Sequence, residues 1–157
     1  QVVGAQGEGG KRVHVVCGGG TGAMWIGALI RSGWQVSVGV LHLLDSDEEV
    51  AQELGAEVIT EAPFTPISAE SVALLKEALA KAEAILVVPV AFGHGNLANL
   101  RAVAEAQQAG KRVILSDCDW QERDFTGGQA TALIERLKAQ GALLVRTPEE
   151  AVSVLAG

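Results

Sequence analysis

The sequence predicts an α/β fold: a Rossmann-like, doubly wound parallel sheet of about six strands in three layers. Three observations predict it. Short β-branched runs alternate with longer segments of 3.6-residue apolar periodicity down the whole chain. Glycine stands where helices would end, at Gly33, Gly55, Gly110 and Gly141, each just ahead of the next strand-like run. The segments that follow the strands are specialised, whereas those that precede them are plain glycine turns.

Taken in order, strands are expected at 13–17, 35–41, 57–60, 84–89, 112–116 and 142–145. Their Val, Ile and Leu content suits strands covered on both faces. Helices are expected at 22–32, 46–54, 68–83, 96–109, 128–140 and 148–155. Two of them begin with a capping box, SDEE at 46–49 and TPEE at 147–150, in which a hydroxyl and a Glu three residues later satisfy the first free amides. Right-handed crossovers between parallel strands then put helices on both faces of the sheet.

The chain has 157 residues, 48% hydrophobic and 20% charged, enough apolar material for the core of a single domain. Residues 1–11 read as a flexible, glycine-rich linker and 12–157 as the domain; with Gln1 at the start, the expectation is a domain from a longer polypeptide. A formal net charge of −7 with no clustered basic face argues against nucleic acid as a partner. The pairs Lys11–Arg12 and Lys111–Arg112 are expected to be solvated. No apolar run reaches the roughly 18 residues of a membrane span, so no membrane insertion is expected, and a cytoplasmic location is. Cys17 and Cys118, far apart, are expected to be reduced thiols.

In an open parallel sheet, ligands collect beyond the carboxyl ends of the strands, where the strand order reverses. The turn after the first strand, CGGGTGA at 17–23, has the spacing G-x-G-x-x-A. Its amides at a helix start suit a phosphate or carboxylate, which makes Gly18, Gly19, Gly20, Thr21 and Gly22 the candidate anion cradle. A tight, closely packed strand-to-helix turn explains the same glycines. The turn after the fourth strand, FGHGN at 92–96, is again glycine-rich before a helix, so Phe92, Gly93, His94, Gly95 and Asn96 join the candidates. Phe92 fits either an apolar ligand wall or packing. Asp45, after the second strand, reads as a ribose ligand or a helix cap, and Asp117 as a further polar candidate. Asp117, Asp119 and Asp124 together fit either a hydrated cation beside a phosphate or turn and helix caps. Trp25, Trp34 and Trp120 read as packing residues and not stacking platforms, with Trp120 the one for which a stacking role stays open.

No catalytic residue and no metal ligand set is assigned. The chain has no G-x-x-x-x-G-K-[ST], no G-x-S-x-G, no H-E-x-x-H and no tyrosine. These absences remove a phosphate-loop ATPase, an esterase elbow, a zinc protease and any Tyr-Lys dehydrogenase chemistry within the chain itself.

The ordered motifs HVVCGGGTGA, SVGVL with DSD, EAPFTPIS and PVAFGHGNLANL resemble the domain appended after the ATPase in some bacterial ABC transporter ATP-binding proteins of the iron-siderophore, haem and cobalamin uptake class. That resemblance implies an ABC ATPase domain in the same polypeptide and a site peripheral to the inner membrane. A sensor that binds a nucleotide or other phosphate-bearing ligand then follows from the two glycine turns, and a homodimer is the further partner considered. The stretch GGGTGAMWIGALIRSGWQVSVGVL is also similar to the first half of the lysine-decarboxylase-like phosphoribohydrolases. Laid over their second motif, P-G-G-x-G-T-x-x-E, this chain has Asn96 at the threonine position and Asn99 at the glutamate position. An amide cannot act as the carboxylate base, so the resemblance implies a phosphate cradle without that hydrolysis.

Overall fold

The computed structural model describes residues 11–17, 22–40, 53–60, 69–94 and 97–157. Six parallel strands form one sheet: β1 (Arg12–Cys17), β2 (Gln35–Val40), β3 (Glu57–Thr60), β4 (Ala84–Val87), β5 (Arg112–Ser116) and β6 (Leu143–Val145). Their order is β3-β2-β1-β4-β5-β6, the arrangement of the two-halved dinucleotide-binding sheets. Five helices are described: α1 (Gly22–Arg31), α2 (Ala69–Lys81), α3 (Leu97–Gln108), α4 (Gln129–Ala139) and α5 (Pro148–Ala156). The helix expected at 46–54 lies outside the described residues apart from its last two positions.

Two apolar cores lie on the two faces of the sheet, which gives the three layers. On one face Trp25, Ile26 and Leu29 of α1 and Ala151 and Leu155 of α5 pack on Val13, Val15, Val38 and Leu86. On the other, Leu75 and Leu79 of α2, Leu100 and Val103 of α3 and Ile134 and Leu137 of α4 pack on Val16, Ile85, Val87 and Leu115. Trp25, Trp34 and Trp120 are all buried, in the packing role expected of them.

The helix ends explain where the strands begin. Gly33, Gly110 and Gly141 have φ of 92°, 102° and 104°, a left-handed conformation open to glycine at little cost. At each, the amide of the residue after the glycine, three past the helix, returns to the last turn: Trp34 to the Leu29 carbonyl, Lys111 to that of Ala106 and Ala142 to that of Leu137. The last of these withdraws Ala142 from the ladder, so β6 starts at Leu143 and not at 142. Similarly β4 stops at Val87, because Pro89 has no amide to continue the pairing. The Thr147 hydroxyl caps α5 by accepting from the Glu150 amide at 3.1 Å, while the Glu150 carboxylate accepts from the Arg146 amide, one residue earlier than the usual box.

The expectation of a solvated pair is corrected at Lys111–Arg112, while Lys11 is exposed as expected. Lys111 Nζ donates to the carbonyls of Ala80 and Ala82 at the end of α2, each at 2.7 Å. Arg112 reaches the carbonyls of Val154 and Leu155 at the end of α5. Both cations reach carbonyls at the negative ends of helices, a local role that composition does not reveal. Lys11 sits 6.0 Å above the Trp34 ring, close enough for a cation–π contact.

Candidate functional site

The strand order makes β1 and β4 neighbours, and the chain leaves them toward opposite ends of the sheet. Their carboxyl ends therefore flank the crevice at which ligands bind in folds of this kind. Of the predicted cradle, Gly22 is described and Gly18, Gly19, Gly20 and Thr21 lie outside the described residues, as do Asp45, Gly95 and Asn96.

Gly22 opens α1 directly against β1. A Cβ built there would stand 2.8 Å from Cys17 Sγ and 3.0 Å from Cys17 Cβ, so only glycine permits this approach of helix to strand. The close approach of helix to strand thus falls on Gly22, one residue before the Ala23 that the G-x-G-x-x-A spacing selects. Sequence spacing alone could not locate it, because the contact depends on the cysteine at the end of β1.

The segment after β4 is tied to the segment after β5. The Phe92 amide donates to the Arg123 carbonyl and the Phe125 amide to the Phe92 carbonyl, each at 2.8 Å, across an isolated bridge between Phe92 and Asp124. Of the two roles open to Phe92, packing is the one observed: it is 1% exposed, with its ring centroid 6.1 Å from that of Trp120. Trp120 is itself anchored by an indole N–H donated to the Ser116 carbonyl at 3.0 Å. Gly93 is buried, and His94 is exposed on the same turn.

The three aspartates after β5 separate into distinct structural tasks. Asp117 Oδ2 accepts from Arg146 Nε at 3.1 Å, linking the ends of β5 and β6. Asp119 accepts from the amides of Gln121 and Glu122 and caps the short 3-10 turn at Gln121–Arg123. Asp124 accepts from the amides and hydroxyls of both Thr126 and Thr131. Burial opposes ionisation of Asp124, but these four donors outweigh it and hold its carboxyl well below the usual carboxylate range. Among the described residues no three His, Cys, Asp or Glu side chains converge as a metal site would require.

Asp124→Ala is expected to lower stability by about 1–3 kcal/mol, because the Thr126 hydroxyl and the Thr131 donors lose their acceptor. Since the folded-state pKa is depressed, that contribution is present above the ordinary carboxylate pKa near 4 and is lost as the pH falls below it. Denaturant unfolding of the two proteins at pH 7 and pH 3 reads both effects: the gap between them should narrow at pH 3.

Two residues went unnoticed in the sequence. Ser116, at the carboxyl end of β5, is 2% exposed, and its Oγ has no hydrogen-bond partner. His14, within β1, is fully buried; its Nδ1 lies 2.8 Å from Ser37 Oγ and its Nε2 has no partner. The only signal for His14 was one polar residue interrupting the V-H-V-V run. Cys118 offers little nucleophilic character, because burial pushes its thiol pKa up against the opposing effect of Arg123.

Sheet order, two-faced core and crevice together define a Rossmann-like α/β domain. The chain belongs to the MJ0874 family, whose model matches residues 36–152. It is 28% identical over 80 residues to the uncharacterized protein MJ0874 of Methanocaldococcus jannaschii, covering 51% of this chain and 86% of that one. Among solved structures it is similar to phosphoglycerate kinase from Coxiella burnetii, at 15% identity and a TM-score of 0.51 over 99% of this chain and 53% of the kinase. An imine reductase variant from Myxococcus stipitatus, solved with NAD+, matches at 19% identity and a TM-score of 0.49, over 88% of this chain and 42% of the reductase. The chain thus spans about half of the kinase and less than half of the reductase, and these likenesses concern the fold alone. Among the described residues no helix is long and apolar enough to cross a membrane.

Proposed function

We propose that this chain is a ligand-sensing accessory domain of an ABC importer ATP-binding protein, and that it binds a small phosphorylated or carboxylated molecule at the carboxyl edge of its sheet. The observation that carries the ligand reading is the adjacency of β1 and β4, each followed by a glycine-rich turn and a helix, α1 and α3. Amides at two helix starts beside one crevice favour an anion. The importer context rests on the motif order HVVCGGGTGA to PVAFGHGNLANL. In that context the ATPase machinery belongs to the same polypeptide, at the cytoplasmic face of the membrane, and the domain reports ligand to it.

A second reading, an interaction module that forms a homodimer, is favoured by one observation. The edge strand β6 carries Leu143 and Leu144 at 44% and 48% exposure, with no charge within the strand to discourage pairing.

A thermal-shift screen of nucleotides, nucleoside monophosphates, phosphosugars, haem and corrinoids separates the two. Ligand at 100 times its dissociation constant adds about 2.7 kcal/mol of stability, a readily measured rise in Tm. The sensor reading expects a phosphate-bearing compound to raise Tm and Gly20→Asp to abolish the rise. If no compound shifts a folded chain, the sensor reading fails and the β6 edge becomes the functional surface.

A further inference from the structure

A cavity of about 410 Å³ opens at the opposite edge of the sheet, beneath the starts of β1, β2 and β3 and alongside α2. Its size lies within the range of small-molecule sites, and its polar residues are arranged in order. Parallel register sets Arg12 of β1 beside Gln35 of β2, and Ser37 of β2 beside Glu57 of β3. Registered neighbours share a face of the sheet, and alternation returns Gln35 and Ser37 to the same face, so all four stand on one side and line the cavity.

The floor is therefore a cation, two neutral polar groups and an anion in succession across three strands. Neither Arg12 nor Glu57 has an ion-pair partner among the described residues. Gln35 lines the cavity, and its Oε1 is buried with no hydrogen bond, an acceptor left unmet that a turn of the amide would present to a bound donor. The Ser37 hydroxyl is held by His14 Nδ1 at 2.8 Å; when it donates to that nitrogen, its oxygen lone pairs are left for a donor in the cavity. The other charges here, Glu77 and Lys81, neutralise each other at 3.1 Å. Trp34 and Leu74 add apolar surface.

We infer that this cavity binds a free amino acid with an apolar side chain. The guanidinium of Arg12 takes the carboxylate. The Gln35 carbonyl, the Ser37 oxygen and the Glu57 carboxylate receive the ammonium, and the side chain lies against Trp34 and Leu74. A simple anion would meet Glu57 and the orphaned acceptor, and a simple cation would meet Arg12, so a zwitterion satisfies the floor better than either. The site is distinct from the carboxyl-edge crevice, and its existence does not depend on the function proposed above.

Calorimetric titration of the chain with L-leucine, L-methionine and L-phenylalanine tests the inference. At least one should bind, and its analogues lacking one charge, such as L-leucinamide and 4-methylpentanoate for leucine, should bind at least tenfold more weakly. Arg12→Ala and Glu57→Gln should each weaken binding of the amino acid at least tenfold. Neither residue belongs to the buried core, and melting curves verify that each variant folds; one folded variant is enough for the comparison. Absence of binding by all three amino acids overturns the inference. So does equal binding of the single-charge analogues, or unchanged affinity in a folded variant.

Discussion

Lowering the pH from 7 to 4.5 is expected to destabilise the native chain by about 2–3 kcal/mol more than it destabilises a His14→Leu variant. His14 is fully buried in β1, and burial alone lowers its pKa from 6.5 to about 4, because the imidazolium would lose its hydration among apolar neighbours. Between those two values the unfolded chain binds a proton that the folded chain does not. Stability therefore rises with pH through that window and is lost as the pH falls from 6.5 toward 4. The Asp and Glu side chains titrate in both proteins, so the difference between the two pH profiles isolates His14. Urea unfolding across pH 4 to 7.5 measures it. Parallel profiles would mean that the ring is solvated and that its neutral, Ser37-bonded state is not part of the native fold.

Gly22→Ala is the substitution expected to damage the carboxyl edge most. A single added carbon meets Cys17 Sγ at 2.8 Å, below the distance at which side-chain carbons are found, so α1 must shift off β1. Overpacking of this kind costs about 1–3 kcal/mol. Cys17→Ala removes the sulfur and leaves the 3.0 Å approach to its Cβ, relieving the closer of the two contacts, so the double variant should be more stable than the sum of the two single losses implies. A double-mutant cycle in denaturant reads this directly. Strict additivity would show that the helix start is loose and that Gly22 has a purely conformational role.

The fold was largely legible because its signals are local. Glycine at 33, 110 and 141 marks both the end of a helix and the start of the next strand through a pair of backbone hydrogen bonds, and the β-branched runs between them admit few other pairings. Strand ends were misjudged where a hydrogen bond leaves the ladder, as at Ala142, or cannot form, as at Pro89. The candidate site was legible only as an edge. Topology brings the carboxyl ends of β1 and β4 together, but the tasks of individual residues there depend on contacts distant in sequence. Asp117 meets Arg146, twenty-nine residues later. Phe92 packs on Trp120, and Lys111 caps a helix that ends thirty residues earlier. The Arg12–Gln35–Ser37–Glu57 floor could not be seen at all without strand register, since its members lie in three separate strands.

The proposed anion site lies at the crevice between β1 and β4, and a nitrogen-15 amide spectrum of the chain titrated with inorganic phosphate, AMP and ADP reads it directly. Saturable shifts are expected, concentrated at Gly22 and Ala23 at the start of α1 and at Gly93 and His94 after β4. Unmoved amides at these positions with all three compounds, or shifts confined to the opposite edge of the sheet, would contradict it.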